Sequence, residues 1–294
     1  MPRRPASPPA AQPTAAALPA ADLIRAALIR APLIGAVLAA GMTLGAPAAA
    51  QSPAAAAIAP QAGPGQARTF SYAVDWGPLP LAEVTLSLEP SADGLTAAAR
   101  GASLGVAAMF SRFEVEQSST YGPEGVLHEA RGRFSGRESL RRVRWDGDGA
   151  AEVLTAQEAR RDPGPLTPIP AAEMADTVDP AFPVVDALNR VAQGQGCGGT
   201  WRVFDGVRRM NITLTDEGPD TLTADRDWTY AGPARRCRLS FERVGGFPPP
   251  KPDAPAERDY ARLLWIAELP EGPAPVRLEV SWPLGVAVGR IDLR

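Results

Sequence analysis

Histidine and cysteine are almost missing from this chain of 294 residues, which contains one His and two Cys. A single His excludes His-rich metal sites and most multi-histidine catalysis, so we expect neither a metal nor any other cofactor. A surplus of basic residues is also missing, because 30 Lys and Arg stand against 33 Asp and Glu. The resulting net charge of −3 argues against a nucleic-acid binder that depends on bulk positive charge.

Aromatic residues are absent from the amino-terminal segment, and all 18 of them lie from Phe70 onward. The first 67 residues contain 25 Ala instead. Arg25 and Arg30 precede an apolar run over residues 33–44, and three Ala ending at Ala50 follow it. This order of basic, apolar and small residues is typical of a secretory signal peptide.

We therefore expect residues 1–50 to be a signal peptide that is cleaved near Ala50, and the protein to be periplasmic in a Gram-negative bacterium. Residues 51–67 have the composition of an Ala/Pro-rich flexible linker, and residues 68–294 are expected to form a single β-rich domain. The apolar run is shorter than the roughly 20 residues that span a bilayer. Two alternatives stay open: the signal is kept as an anchor, or translation starts downstream of Met1.

The two cysteines, Cys197 and Cys237, are 40 residues apart. In an exported chain an even number of cysteines favours a disulfide bond, because the compartment is oxidising. The alternative is a pair of buried free thiols. A metal site is not expected, since there is no CxxC motif and no neighbouring His.

Alternating apolar and polar residues run through most of the remaining chain. The first example is Arg68–Trp76, in which Phe70, Tyr72, Val74 and Trp76 share one face. Similar segments follow, separated by Gly- and Asp-rich turns at the spacing of β-hairpins. Strands do not alternate with helices, which excludes a doubly wound α/β fold. The sequence predicts a mainly β fold: a large antiparallel curved sheet, half-barrel or sandwich-like, with one or two short helices.

Two short motifs resemble catalytic or cofactor signatures. Gly101–Gly105 fits GxSxG and would make Ser103 the nucleophile of a serine hydrolase. The one His, His128, lies within a predicted strand, and the segment before Ser103 is not a typical buried parallel strand, so a tight turn is the favoured interpretation. Gly194–Gly199 fits GxGxxG, but a helix precedes it and a strand follows, the reverse of a dinucleotide site. We therefore expect no catalytic residue.

Arginines cluster on the predicted ribbon that follows residue 125. Arg131, Arg133, Arg142 and Arg144 form a candidate basic face for phospholipid headgroups or another polyanion. The alternative, which we favour, is an ordinary solvated face of an antiparallel sheet.

Several segments occur in a fixed order along the chain. They are Tyr72–Ala82, Ser103–Gly105, Phe110–Phe113, Phe204–Arg209, Tyr230–Ala234 with Cys237, Gly245–Phe247, Pro275–Val280 and Pro283–Gly285. Together they resemble a family of exported bacterial proteins, domain of unknown function 3108. The resemblance covers residues 70–294 and implies an exported β-rich protein without a known activity. It carries no catalytic residue over, and it places a small-residue turn at Ser103. By analogy it also implies an open curved sheet wrapped on a helix, as in periplasmic lipoprotein carriers.

These observations favour a non-catalytic periplasmic binding module for an apolar or lipid-like ligand. The candidate ligand-facing residues, whose alternative role is plain core, are Phe70, Tyr72, Trp76, Phe110 and Phe113. A second hypothesis is an envelope assembly or scaffold protein that binds other proteins through exposed strand edges. A serine hydrolase that uses Ser103 is the third. Expected partners are a lipid or an envelope protein, with no nucleic acid and at most a peripheral membrane contact.

Overall fold

The computed structural model describes residues 66–147, 149–158, 164–249, 260–282 and 285–294. The predicted signal peptide and most of the predicted linker therefore lie outside the described residues. The first half of the fold is a meander of seven strands with one short helix, α1. Its elements are β1 (Arg68–Trp76), β2 (Leu79–Ser91), β3 (Gly94–Ser103), α1 (Gly105–Phe110), β4 (Phe113–Gly122), β5 (Gly125–Phe134), β6 (Arg137–Trp145) and β7 (Ala151–Gln157).

The second half begins with a single 3₁₀ turn and a longer helix, α2, and then continues as a second meander. Its elements are the 3₁₀ turn (Ala171–Glu173), α2 (Phe182–Ala192), β8 (Gly199–Phe204), β9 (Arg209–Leu222), β10 (Gly232–Gly245), β11 (Arg262–Leu269), β12 (Gly272–Trp282) and β13 (Gly285–Asp292). Gly194, with a φ of +71°, follows α2 and turns the chain, so this part of the GxGxxG match ends a helix.

All the strands of the described residues belong to one 13-stranded sheet with the order β7-β6-β5-β4-β3-β2-β1-β13-β12-β11-β10-β9-β8. Every pair of neighbouring strands is antiparallel. The two meanders meet where β1 pairs with β13, and Tyr72 lies opposite Ile291 there. The predicted fold, a large antiparallel curved sheet with two short helices, is confirmed, and the sheet is curved without closing into a barrel.

The sheet has an inner and an outer face, because successive side chains of a strand alternate. On β1 the inner face carries Phe70, Tyr72 and Val74, whereas Ser71 and Ala73 face outward. The helix α2 packs against the inner side of β8, β11 and β12. Its Phe182 also contacts the ring of Tyr121 on β4, with 6.4 Å between ring centroids. The helix therefore lies inside the curve of the sheet and connects its two halves.

Beneath the helix lies the main hydrophobic core. On β1–β4 its inner-face members, which we call the covered half, are Phe70, Leu88, Leu95, Ala97 and Tyr121. The disulfide bond between Cys197 and Cys237 joins the loop after α2 to β10 within this core. The predicted disulfide is thus present in the structure, and no free cysteine remains among the described residues.

The curvature brings the β6 side of the sheet close to the turn between β8 and β9. Arg141 on β6 donates to Asp205 in that turn, with 2.6 Å between Nη1 and Oδ2. A second, smaller core forms beside this ion pair from Val143, Trp145 and Phe204. The two ends of the sheet are therefore tied together at one end of the molecule.

Candidate ligand-binding face

Beyond the covered half, the inner face of the sheet carries further apolar side chains together with the polar Gln117 and Ser139. There the apolar side chains are packed differently. We call this region the open half. Its larger side chains are half-buried and pack against neither hydrophobic core among the described residues; they are Val74, Val84, Phe113, Val115, Phe134, Leu278 and Val280. Half-buried apolar side chains on a concave face are typical of a surface that receives a ligand.

Small residues form the floor of the open half. Along one cross-strand row the register runs Val84, Gly101, Val115 and Gly132, so that large and small residues alternate from β2 to β5. At the β1–β13–β12 side, a Cβ atom added to Gly289 would lie 3.8 Å from Val74 and from Leu278. An added methyl group there would make ordinary contacts, while a longer side chain would extend into the open half.

Tyr72 lies at the boundary of the two halves. It is directly opposite Val84, at the β1 end of the row, and its ring packs against the main core. Its hydroxyl is buried and has no hydrogen-bond partner among the described residues. Burial raises the pKa of this hydroxyl well above its ordinary value, so the group is a neutral donor.

The other aromatic residues predicted to line the interior have different positions. Phe70 is buried in the main core, and Trp76 is half-buried at the end of β1. Phe113 stacks on Phe134 at the end of the open half, with ring centroids 6.4 Å apart. Phe110 differs from the prediction, because it lies on α1 and is 41% exposed.

The exposure of Phe110 follows from the shape of α1. This helix has six residues, packs on β2 and buries only Ala107. Val106, Met109 and Phe110 therefore face solvent, with Met109 83% exposed. Sequence alternation could not assign this segment, because the chain leaves the sheet here.

The predicted basic face lies on the outer side of the sheet, away from the open half. Arg133 is 2.8 Å from Glu138 and 3.6 Å from Glu114, and Arg142 is 2.7 Å from Glu129. Arg144 and Glu152 are 3.8 Å apart. Arg131 lies across the strand pair from Glu116, whose carboxylate contacts Arg100.

These side chains form rows of alternating charge, which have little net attraction for a polyanion. They border an outer hollow of about 840 Å³, whose lining also includes Gly101, Val115 and Gly132 of the row. The charged residues that line this hollow are Arg100, Arg131, Arg133, Glu83, Glu114, Glu116 and Glu138. The solvated, charge-paired arrangement matches the alternative that the sequence favoured.

Ser103, the candidate nucleophile, is bonded to the backbone of the next strand. Its Oγ accepts a hydrogen bond from the Phe113 N–H at 3.0 Å. His128 contacts a different serine, Ser119, with 2.9 Å between Nδ1 and Oγ. This contact joins the end of β3 to the start of β4, on either side of α1. Ser103 therefore has a structural role.

His128 belongs to a buried polar cluster that the sequence analysis missed. Ser119 Oγ donates to Asp179 Oδ1 at 2.5 Å, and Tyr121 Oη donates to the same oxygen at 3.0 Å. Asp179 Oδ1 also accepts the Ala181 N–H at 2.9 Å, just before α2 begins. Ser119, His128 and Asp179 are each at most 2% exposed. The cluster therefore fastens the start of α2 to β4.

The order of hydrogen bonds in this cluster differs from that of a catalytic triad. The single hydroxyl proton of Ser119 points to Asp179, so its oxygen accepts from Nδ1–H of His128. In a triad the imidazole instead stands between serine and aspartate and takes the serine proton. Burial lowers the pKa of His128, so the ring is neutral at pH 7.

Neither a metal centre nor a membrane span is found among the described residues. No group of three His, Cys, Asp or Glu side chains in these ranges could hold a metal ion. In the same ranges, each helix is too short or too polar to cross a bilayer.

Comparisons with known proteins find a likeness to a solved structure. No family model matches the chain, and no curated protein matches it. The resemblance to domain of unknown function 3108 is therefore not confirmed. Among solved structures, the chain is similar to a beta-barrel-like protein of domain of unknown function DUF1849 from Brucella abortus. The sequences are 11% identical, the TM-score is 0.47, and the match covers 76% of this chain and 94% of that chain.

Proposed function

We propose that this protein is a non-catalytic binding module that holds an apolar or lipid-like ligand on the open half of its inner face. The observation that carries the proposal is the set of half-buried apolar side chains, including Val84, Val115 and Leu278, that pack against neither core. Covering such a surface is favourable by about 25 cal/mol for each Å² of apolar area removed from water. A hydrocarbon chain is the ligand chemistry that gains from this and needs no charged partner.

The shape of the open half also supports an elongated ligand. The row from Val84 through Gly101 and Val115 to Gly132 crosses strands β2–β5, which are about 4.8 Å apart. The ring of Phe134 lies over Gly132, because a Cβ added to this glycine would be 2.8 Å from that ring. An acyl chain would lie along the row with Phe134 at one end.

We further propose that the protein acts in the periplasm after export. The amino-terminal order of basic, apolar and small residues supports this location. The disulfide bond between Cys197 and Cys237 is consistent with it, because such bonds persist in oxidising compartments.

Native mass spectrometry of protein exported with its own signal peptide tests the proposal. We expect the mass of a mature chain that begins at Gln51, directly after Ala50. We also expect a second species that is heavier by the mass of a lipid, which gentle activation releases. Protein that never carries an adduct, and to which no added lipid binds, would contradict the binding function. A mass that retains residues 1–50 would contradict cleavage of the signal peptide.

Two matched variants locate the ligand. Gly289→Leu places a side chain in the open half, where a Cβ has room, and it should abolish the adduct. Ala102→Leu adds the same side chain to the outer hollow and should leave the adduct unchanged. The reverse result would place the ligand in the outer hollow.

A second candidate function, protein binding through a strand edge, is supported by β7. This strand pairs with β6 and has no strand partner on its other side among the described residues. Val153 on β7 is 43% exposed. Such an edge can accept a strand from a partner. Val153→Pro should abolish an oligomer or a complex formed in this way, and an unchanged complex would exclude this edge.

A further inference from the structure

The strongest unexplained group in the molecule is the hydroxyl of Tyr72. It is buried and has no hydrogen-bond partner among the described residues. Buried polar groups in folded proteins are nearly always paired, and each exception needs an explanation. A phenylalanine in the same place would fill the same space without leaving a donor unpaired. The position of Tyr72 suggests what the hydroxyl is for.

Tyr72 lies where the core ends and the open half begins. Its cross-strand neighbour Val84 starts the row of the open half, and the next inner-face residue on its own strand, Val74, belongs to the open half too. The hydroxyl has almost no accessible surface in the ligand-free protein, so a chain that lies along the row would reach it by displacing the side chains that cover it. In apolar pockets, a small number of polar groups of this kind fix the orientation of the ligand.

We propose that the Tyr72 hydroxyl donates a hydrogen bond to a neutral carbonyl oxygen of the ligand, so that the ligand is an acyl ester or amide whose hydrocarbon chain covers the open half. This inference rests on the proposed function and assigns the chemical class of its ligand. The carbonyl supplies the acceptor that Tyr72 lacks, and the hydrocarbon supplies the contacts that Val84 and Val115 lack.

A neutral carbonyl fits this position better than a carboxylate. The pKa of Tyr72 is raised by burial, and no charged side chain contributes to the shift among the described residues. A carboxylate beside this hydroxyl would therefore be buried without a cation, which is strongly unfavourable. An ester or amide carbonyl needs only the one donor that Tyr72 offers.

The test compares the wild-type protein with Tyr72→Phe, using 1-oleoylglycerol, oleate and 1-octadecene as competitors of a neutral fluorescent probe. We expect the wild-type protein to bind 1-oleoylglycerol more tightly than oleate. The substitution should weaken binding of 1-oleoylglycerol by about two- to tenfold, the value of one hydrogen bond, and leave 1-octadecene unchanged. It should also raise the melting temperature of the ligand-free protein by about 3 °C, because an unpaired buried donor is removed.

Tyr230→Phe is the matched control. The Tyr230 hydroxyl donates to the Pro233 carbonyl at 2.7 Å, outside the open half. Removing it should leave the binding of 1-oleoylglycerol unchanged, and it should not raise the melting temperature.

The possible failures are distinguishable. Equal binding of 1-oleoylglycerol by the wild-type protein and Tyr72→Phe would overturn the role of Tyr72 and leave the binding function intact. Tighter binding of oleate would overturn the assignment of a neutral carbonyl. A lower melting temperature for Tyr72→Phe would show that the hydroxyl already has a partner, which also overturns the inference. If none of the three compounds binds the wild-type protein, the proposed function itself fails.

Discussion

The two halves of the inner face have similar strands and different coverings. The covered half lies beneath α2, and residues such as Leu88 and Tyr121 are at most 3% exposed there. The open half continues along the same strands, yet Val84 and Val115 stay half-buried. The polar groups differ in the same way: Asp179 satisfies the hydroxyls of Ser119 and Tyr121 in the covered half, whereas Tyr72 at the boundary has no partner.

This contrast shows that an apolar strand face becomes a core only where another element covers it. A strand that alternates apolar and polar residues specifies which face is apolar, but not what will lie on that face. In the covered half the covering element is the protein's own helix. In the open half we propose that it is a ligand.

Removal of the disulfide should have the largest effect on the covered half. The Cys197→Ser, Cys237→Ser double variant opens a loop of 40 residues and should lower the free energy of unfolding by roughly 4 kcal/mol. Chemical denaturation measures this loss. Ligand binding by the fraction that stays folded should be unchanged, because the open half does not contain the bond. A loss well below 1 kcal/mol would contradict a supporting role for the bond.

Asp179→Ala should have the next largest effect. The substitution removes the acceptor shared by Ser119, Tyr121 and the Ala181 N–H, and leaves buried donors unpaired. We expect the free energy of unfolding to fall by roughly 3 kcal/mol. Hydrogen exchange should show the first turn of α2 opening before the sheet. Exchange that is uniform over the fold would contradict the assignment of Asp179 as the tie between α2 and β4.

A pair of valines compares the open half with a tightly packed core. Val143 on β6 is 0% exposed within the smaller core, while Val115 on β4 lies in the open half. Val143→Ala should lower the free energy of unfolding by about 2 kcal/mol, because it leaves a cavity. Val115→Ala should lower it by less than about 1 kcal/mol in the ligand-free protein, because solvent or neighbours fill the space. Equal losses at the two sites would show that the open half is packed as tightly as the core.

The pH dependence of stability should report the buried His128, with the smallest effect of the four. Burial lowers its pKa from 6.5 in the folded state, and this outweighs the opposite influence of Asp179. As the pH falls, His128 therefore binds a proton in the unfolded chain before it does so in the folded chain. The free energy of unfolding should fall as the pH falls below about 6.5. The loss ends once the pH is below the folded-state pKa.

His128→Asn is the control for this effect. An amide nitrogen can still donate to Ser119 Oγ, but it does not titrate. Melting temperatures of the two proteins should converge between pH 7 and pH 5, since only the wild-type protein loses stability from this group. Parallel curves would rule out His128 as the source of the pH dependence.

The sheet was predictable from the sequence, and the candidate site was predictable only in part. The alternating pattern predicted β1 with its bounds, because large apolar residues alternate with small or polar ones between Thr69 and Trp76. The disulfide followed from the even number of cysteines in a chain expected to be exported. Tyr72 was correctly placed on the inner face, since it shares the parity of Phe70.

The remaining features depend on long-range register and on packing between distant segments. The pairing of Arg133 with Glu114 and Glu138 requires the register of β4, β5 and β6. Asp179 meets Ser119 across 60 residues, and no local pattern marks that contact. The exposure of Phe110 depends on α1 leaving the sheet, where the period of two no longer applies. None of these contacts has a local signature in the sequence.

The most direct test of the central claim is photo-crosslinking with a monoacylglycerol that carries a diazirine in its acyl chain. After irradiation and digestion, mass spectrometry locates the labelled residues. The account predicts labels on the side chains of Val84 or Leu278, which do not line the outer hollow, and a loss of these labels in Gly289→Leu. Labels confined to the outer hollow around Arg100 and Arg131, or no label at a concentration that saturates other acyl-binding proteins, would contradict it.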